Sequence, residues 1–433
     1  MVFRKILVFF LPLLISLSVY PVTPRDTVSV MVYNLLFYGN YTSFCNSQNN
    51  NIDDKDAHLR TIIAYSQPDL FAVNEMGPDP ANATRIRDHV LNADGRTGYA
   101  HVSYTNTTGS GLVNMLFYNT EKFVLYSEDV AAAVVRDINL YTLYYNDPLL
   151  GQGNDTIFLH VFVTHMKAGS SSGDQQRRMQ EASAVMSYID QMNIRGNLLF
   201  MGDFNMNSSY EQAFQQITYH PNESIRFHDP IDQPGVWWNN PEMAPYHTQS
   251  TRTGQHDCFV TGGMDDRYDF ILATESIMEG WQGMVYIEDS YNAIGQDGLR
   301  FNQSLISPPN QSGVPQEVIL ALFNMSDHLP VQMQIGITDY VSSISHNDPP
   351  AAGIHVVYDR AGKNVAIHIH GHAGSVSVEL ISPAGISLLR KTGTTLTSPV
   401  VVQADVSGFA PGLYFIAVKP PTGKKLIEKV FIY

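Results

Sequence analysis

The stretch NLLFMGDFNMN, residues 197–207, closes an apolar run at Gly202 and then presents Asp203 and Asn205. Residues two apart share a face in extended chain, so a carboxylate and an amide would project together from the carboxyl end of a strand. Taken alone, they are equally the turn formers that follow any strand. Similar groups stand at Asn34 after TVSVMVY, Glu75 in DLFAVNEM, His165 in FLHVFVTHMKAG, Asp269 in DRYDFILAT, and Asp327 and His328 in MSDHLPVQMQIGI. Carboxylates and amide oxygens suit a hard cation, Mg2+ or Mn2+, whereas zinc favours His and Cys clusters. Glu75 is the strongest single metal ligand of the set, with Asn34, Asp203, Asn205 and Asp327 as neighbours that bind directly or through water. His165 and His328 supply groups that donate or accept protons near neutral pH. A divalent ion, a base that deprotonates water and donors that hold a phosphoryl oxygen are what hydrolysis of a phosphate ester requires. The sequence contains no phosphate-cradling glycine loop, Gly-x-Ser-x-Gly elbow or His-Glu-x-x-His helix, which argues against NTPases, serine hydrolases and zinc proteases.

These side chains need elements to position them, and the hydrophobic pattern supplies strand, helix and strand in repeated order. TVSVMVYNLLF (27–37) reads as a Val-rich strand, and AHLRTIIAYS places Leu59, Ile62 and Ile63 on one helical stripe. DLFAVNEM (69–76) is a second buried strand with Glu75 just past its end. FLHVFVTHMKAG (158–169) is a strand ending at His165, and a helix over 175–191 carries the stripe Met179, Ala182, Met186 and Ile189. GNLLFMGDFN follows, and strands are expected again over 266–274 and 325–337. The candidate residues therefore lie at strand ends on segments far apart in sequence, where layered α/β proteins gather their ligand sites. Arg177 and Arg178, at the start of the 175–191 helix, read as a solvated face rather than a substrate clamp. Asp265 and Asp266 read as turn residues.

Taken together, YNLL at 33–36, NEM at 74–76, THMKAG at 164–169, GDFN at 202–205, DRYDFIL at 266–272 and SDHLP at 326–330 resemble the endonuclease/exonuclease/phosphatase superfamily. That superfamily includes pancreatic deoxyribonuclease, abasic-site endonucleases, bacterial sphingomyelinases and inositol phosphatases. The motifs keep the family's order across 26–338; GDFN with a downstream SDH is specific, and either alone is weak. The resemblance implies a four-layered α/β sandwich, two mixed sheets face to face with helices outside. It also implies roles. Glu75 would bind the metal with help from Asn34, and Asp327 would sit beside it. Asp203 would orient or deprotonate the attacking water, and Asn205 would hold that water or the phosphate. His328, polarised by Asp269, would act as acid/base or stabilise the pentacovalent phosphate, and His165 would contact the phosphate or leaving group. Which residue is the base stays open.

Other features bear on where the chain works. Arg4, Lys5 and the apolar ILVFFLPLLISLSV have the form of a secretory signal over 1–20. Export permits a disulfide between Cys45 and Cys258, although two cysteines in a sequence do not show that they meet. Asn-x-Ser/Thr triplets, Asn40 and Asn82 among them, are what a chain rich in these residues produces by chance. Residues 339–352 read as a linker and 353–433 as an all-β module of short strands. VELISPAGISLLRK and LYFIAVKPPTGKKLIEKVF resemble the sorting domain that Bacteroidetes append to cargo of their type IX secretion system, with an ordinary β-sandwich binding module as the alternative. The expected location is outside the cell or on its surface, with the secretion machinery as a partner and no stable membrane insertion of the mature chain.

Charge qualifies the substrate. The chain carries -15 overall; 353–433 holds eight Lys or Arg against four acids, so the tail is +4 and the remainder -19. A body this acidic lacks the basic track of a protein that coats nucleic acid, but bound cations can supply local positive charge. THMKAGSSSGD with its Arg-bearing helix resembles secreted bacterial endonucleases, which favours DNA or RNA as substrate. A lipid phosphodiesterase of the sphingomyelinase type is the alternative, for which Trp237 and Trp238 or Tyr141, Tyr144 and Tyr145 would be interfacial aromatics. A small phosphate ester, and a non-catalytic binding protein, are further readings.

Overall fold

A computed structural model describes residues 24–150, 155–340, 353–359, 364–370, 374–383, 385–395, 400–410, 412–419 and 425–432. The signal segment and most of the linker lie outside these residues. Two compact units divide between residues 341 and 342.

In the first unit the chain runs β1 (Asp26–Tyr38), α1 (Ile52–Ser66), β2 (Leu70–Met76), α2 (Ala81–Ile86), β3 (Tyr99–His101), β4 (Val113–Asn119), β5 (Phe123–Ala133) and β6 (Asp137–Tyr145). It continues through β7 (Phe158–His165), α3 (Ser172–Gln191), β8 (Leu198–Asp203), α4 (Gln212–Thr218), β9 (Phe227–His228), β10 (Asp269–Thr274) and α5 (Glu275–Glu279). Last come β11 (Met284–Tyr286), β12 (Asn292–Ala293), α6 (Gln316–Met325) and β13 (Val331–Ile337). One sheet has the order β11-β13-β1-β2-β4-β3 with β12 on β13, and the other β5-β6-β7-β8-β10-β9. Each is mixed: β1 and β2 run parallel in the first, β7 and β8 in the second, and the other pairings are antiparallel. Parallel neighbours need a crossover, which α1 and α3 provide.

Alternation along β8 shows the layers. Leu199 and Met201 enter a core shared with Val30 and Val32 of β1, Leu59 and Ile63 of α1 and Leu322 of α6. Leu198 and Phe200 enter a second core with Ala182, Val185 and Ile189 of α3 and Phe214 of α4. The result is helix, sheet, sheet, helix, the four-layered α/β sandwich that the motifs imply. Covered on both faces, its central strands read as continuous apolar runs rather than alternating ones.

Several expectations are revised. The α3 helix starts at Ser172, not 175, because Ser171 caps it and forms a capping box with Asp174. Segment 325–337 is not one strand: Met325 ends α6, and Ser326–Pro330 is a connection into β13. Arg178 is not solvated. It is fully buried, donates to Glu211 Oε2 from Nε (3.0 Å) and Nη2 (2.8 Å), and donates through Nη1 to the carbonyls of Lys167 and Gly169 at 2.7 Å each. Glu211 Oε1 in turn accepts from the Asn207 N–H at 2.8 Å. A buried charge is tolerable only when paired this fully, and the pairing braces the loops that follow His165 and Asn205. Trp237 is core, edge-on to Phe214 at 5.0 Å between ring centres, and Tyr141 and Tyr145 are buried in β6; Trp238 is exposed.

Described by itself, the second unit contains a three-stranded sheet of Gly353–Asp359, Asn364–His370 and Val400–Asp405, and a four-stranded sheet of Gly374–Ile381, Ser387–Thr395, Gly412–Lys419 and Leu426–Ile432. All pairings are antiparallel. Val365, Ile367, Val378, Ile416 and Val430 share one core, giving a small all-β sandwich.

Candidate active site

Strand register assembles the site. His165 lies opposite Asp203 across β7 and β8, and Asp203 opposite Asp269 across β8 and β10. Gly202 permits this row: its φ is +148°, and a Cβ there would meet the Thr164 carbonyl oxygen at 1.8 Å. That close approach is why the apolar run stops at a glycine. In the other sheet Asn34 lies opposite Asn74 across β1 and β2, and Glu75 follows with φ +57°. Asn34 joins the sheets: its Nδ2 donates to Asp203 Oδ2 at 3.0 Å and to Glu75 Oε1 at 3.2 Å, and its Oδ1 accepts from the Leu36 N–H at 3.0 Å.

The remaining groups close around them. His165 Nε2 lies 3.6 Å from Asp203 Oδ2 and 3.8 Å from Glu75 Oε1, and its Nδ1 is buried without a hydrogen-bond partner. Asn205, at φ +52°, donates its N–H to Asp203 Oδ1 (3.0 Å) and its Nδ2 to the Met166 carbonyl (3.3 Å). His328 Nδ1 is 2.7 Å from Asp269 Oδ2, and its Nε2 is 3.9 Å from Asp203 Oδ2. Ser326 Oγ donates to the Asn34 carbonyl (2.7 Å) and accepts from the His328 N–H (3.1 Å), tying the SDH turn to β1. Asp327 Oδ2 accepts from the Val260 N–H at 2.9 Å, while its Oδ1 is buried without a partner.

Electrostatics separates the two histidines. Burial, with Arg136 and His328 nearby, pushes the pKa of His165 well below the imidazole range, so this ring is neutral. Burial also opposes charge on His328, but Asp269, Asp203 and Asp327 outweigh it and hold that ring protonated well above the usual range. Burial, then Asp269 and Glu75, raises Asp203 to about 7, and burial and Asp327 raise Glu75. The site thus holds a cationic acid, a neutral imidazole and carboxylates whose charges repel one another.

A divalent cation fits this donor set. Two triads, Glu75–His165–Asp203 and Asp203–Asp269–His328, have ligand atoms within 4.8 Å of one another. Among the described residues Asp327 is in neither, yet it is near enough to raise Glu75. The unpartnered oxygens of Asp327 and Asp269 and the mutually raised carboxylates are conditions that a bound cation relieves.

Some contributors have weak or no sequence signals. Asn74 Nδ2 donates to Asn114 Oδ1 (2.8 Å) and the Thr164 carbonyl (2.9 Å), and its Oδ1 accepts the Asp203 N–H (2.9 Å), forming a buried amide bridge under the site. An Asn within a buried strand was its signal, since such a group must have fixed partners. Gln249 Nε2 lies 2.7 Å from His328 Nε2; an amide turning its oxygen to the ring accepts the imidazolium proton, whereas one turning its nitrogen favours the neutral ring. Arg136 Nη1 donates to the His165 and Met166 carbonyls at 3.1 and 3.3 Å. Asp266 is half-buried, exchanges backbone hydrogen bonds with Gln249, and is raised to about 7, chiefly by burial and then Asp265.

These shifts give a pH expectation. Asp203, Asp266 and Glu181, the last also raised to about 7 by burial, keep protons in the folded chain that the unfolded chain has already lost. Forcing them to ionise costs stability, and His328 contributes with the same sign as pH climbs. Buried His165 matters only below the ordinary imidazole pKa, and buried Lys55, lowered to about 7 by desolvation, acts with the opposite sign above about pH 7 and offsets part of the fall. Metal-free protein is therefore expected to melt at progressively lower temperature from about pH 6.5 to 8, with Mn2+ reducing the decline through Asp203; a flat or rising melting curve would contradict these protonation states.

A cationic imidazole and a neutral one, set among carboxylates where two sheets meet, make up the chemistry of a metal-assisted phosphoester hydrolase. Residues 31–328 match the endonuclease/exonuclease/phosphatase family, and the chain belongs to that family. No curated protein matches it in sequence. Similar solved structures include an endonuclease/exonuclease/phosphatase family protein from Bacteroides thetaiotaomicron (12% identity, 73% of this chain and 99% of that one, TM-score 0.46). They also include a mannosyl-6-phosphatase from the same organism (12% identity, 71% and 99%, TM-score 0.45) and D. rerio TDP2 complexed with a single-strand DNA product (12% identity, 72% and 99%, TM-score 0.44).

Proposed function

We propose that this hydrolase is a secreted, Mg2+- or Mn2+-dependent phosphodiesterase acting on nucleic acid, DNA or RNA. The observation that carries the chemistry is the buried Asp269–His328 pair at 2.7 Å with Asp203 3.9 Å beyond it. It supports this reading because an imidazolium held charged lies beside a carboxylate raised to about 7. Asp203, once ionised, takes a proton from the attacking water, and Asn205 holds that water or a phosphoryl oxygen. As the new P–O bond forms and the ester P–O bond breaks, His328 stabilises the charge on phosphorus or protonates the leaving oxygen. Neutral His165 donates to a phosphate oxygen or the leaving group. Glu75, with Asn34, Asp203 and Asp327 around it, would hold the divalent ion, which when bound supplies Lewis-acid polarisation of the phosphoryl oxygen.

Burial of Trp237, Tyr141 and Tyr145 removes most of the aromatic support for a lipid substrate, and among the described residues no helix is long and apolar enough to cross a membrane. The test is a panel of duplex DNA, single-stranded DNA, RNA, sphingomyelin vesicles and sugar or inositol phosphates. EDTA should abolish cleavage and Mg2+ or Mn2+ restore it. Hydrolysis of lipid or small esters alone would replace the nuclease reading, and restoration by zinc alone would refute the hard-cation site.

Export is part of the same proposal. The Cys45–Cys258 disulfide, with Cα atoms 4.7 Å apart, supports an oxidising compartment, the N-terminal segment would be the signal, and the C-terminal sandwich would be an address for the type IX route. Deleting 353–433 should leave the specific activity of the purified enzyme unchanged while the protein accumulates inside the producing cell. Normal release of the truncated chain would remove the sorting role.

A further inference from the structure

The Cys45–Cys258 disulfide joins the loop after β1 to the loop before β10, residues 213 positions apart. Two backbone donors near the ends of this link, one in the last residues of β1 and one on the loop before β10, each reach one candidate carboxylate of the cation site. Phe37 N–H reaches Glu75 Oε2 at 3.2 Å, and Val260 N–H reaches Asp327 Oδ2 at 2.9 Å. The two donors sit on either end of the same covalent link: Phe37 is eight residues before Cys45, and Val260 two after Cys258.

Packing concentrates on this link. Cys45 and Cys258 are buried with Leu36 and Phe259 in a small cluster separate from both large cores, and Phe37 packs against it. Leu36 and Phe37 have φ of +46° and +52°, a conformation that bulky L-residues adopt only when surroundings impose it. Asn50 Nδ2 adds a tether to the Leu36 and Phe37 carbonyls at 3.3 and 3.2 Å. On the loop before β10 Val260 is itself exposed, so its N–H is not held by burial of its own side chain.

We propose that the Cys45–Cys258 disulfide is a positioning element of the cation site: by clamping the chain that leaves β1 to the loop before β10 it aims the Phe37 donor at the end of β1 and the Val260 donor on that loop at Glu75 and Asp327, so affinity for a divalent ion depends on the disulfide being formed. The inference rests on the reading that these carboxylates serve the cation. Donors of this kind orient ligands and are commonly worth about 10–100-fold in metal affinity. A purely structural cross-link would instead change resistance to unfolding and leave affinity alone.

The experiment is a titration with Mn2+ of the full oxidised chain and of Cys45→Ser/Cys258→Ser, reading bound ion by the loss of the free Mn2+ paramagnetic resonance signal, with thermal melting recorded in parallel. The variant is expected to bind about 10–100-fold more weakly. Equal affinities, even with a lowered melting temperature, overturn the proposal. If the variant does not fold, Val260→Pro answers the question in an intact disulfide: it removes one donor, and an unchanged dissociation constant overturns the proposal, whereas a weakened one supports it. Failure of the oxidised wild type to bind Mn2+ overturns the cation reading itself, a result distinct from equal binding by the two forms.

Discussion

Replacing His328 with alanine lowers turnover of the preferred phosphoester by about 10²–10⁴-fold, the amount that a placed proton-transfer group supplies. The side chain is the cationic member of the site, and it is charged because Asp269, Asp203 and Asp327 outweigh its burial. Alanine also strands Asp269, which is fully buried and whose other oxygen already has no partner. Leaving such a charge unpaired costs about 3–5 kcal/mol, so the single variant should be less stable as well as slower. Converting Asp269 to Asn in the same protein should recover stability without recovering turnover. Because the two residues act as one unit, Asp269→Asn/His328→Ala should be about as slow as His328→Ala alone. The checks are kcat for the three proteins and their melting curves; wild-type rates in His328→Ala would remove this residue from the chemistry.

Glu75→Gln should remove the response to the divalent ion. Partners of a metal ligand are commonly worth about 10–100-fold in affinity, and a charged ligand should be worth at least as much. In the wild type, Mn2+ at 100 times its dissociation constant should stabilise the fold by about 2.7 kcal/mol through binding linkage. The variant at the same concentration should show almost none of this shift and should lose metal-dependent cleavage. It should also move Asp203. Glu75 is one of the negative neighbours that, after burial and Asp269, raise Asp203 to about 7, so neutralising it should lower that pKa and flatten the fall in melting temperature between about pH 6.5 and 8. A full Mn2+ shift in Glu75→Gln would show that the ion is held elsewhere, the Asp203–Asp269–His328 triad being the next place to look.

Much of the site was legible as chemistry and order, less of it as geometry. The strand ends at His165 and Asp203 fall where the apolar runs stop, since a strand buried on both faces must be apolar and its end need not be. The helix between them was legible as a stripe, but its true start depended on the Ser171 and Asp174 side chains. Arg178 was misread because a charged residue at the start of a helix is normally solvated. Its burial is decided by Glu211, 33 residues away, and by two carbonyls of the loop after His165. The α6 helix was missed where its end runs into the SDH turn, since Met325 and the apolar residues of β13 form one apolar-rich segment in sequence.

By itself, the sequence determined which groups were present, that His165 and Asp203 close strands, and that the order of the groups was the family's, whereas Asn34 and Glu75 lie inside β1 and β2, Asp269 opens β10, and Asp327 and His328 precede β13. Short windows carry what was legible because backbone periodicity and side-chain chemistry are local. Tertiary structure alone decided that Asn34 spans Glu75 and Asp203, that His328 is charged while His165 is neutral, and that Cys45 meets Cys258. Proton affinity depends on burial and on charges brought from other strands. Those distances are set by sheet register and the packing of two sheets, and no single window of sequence contains them.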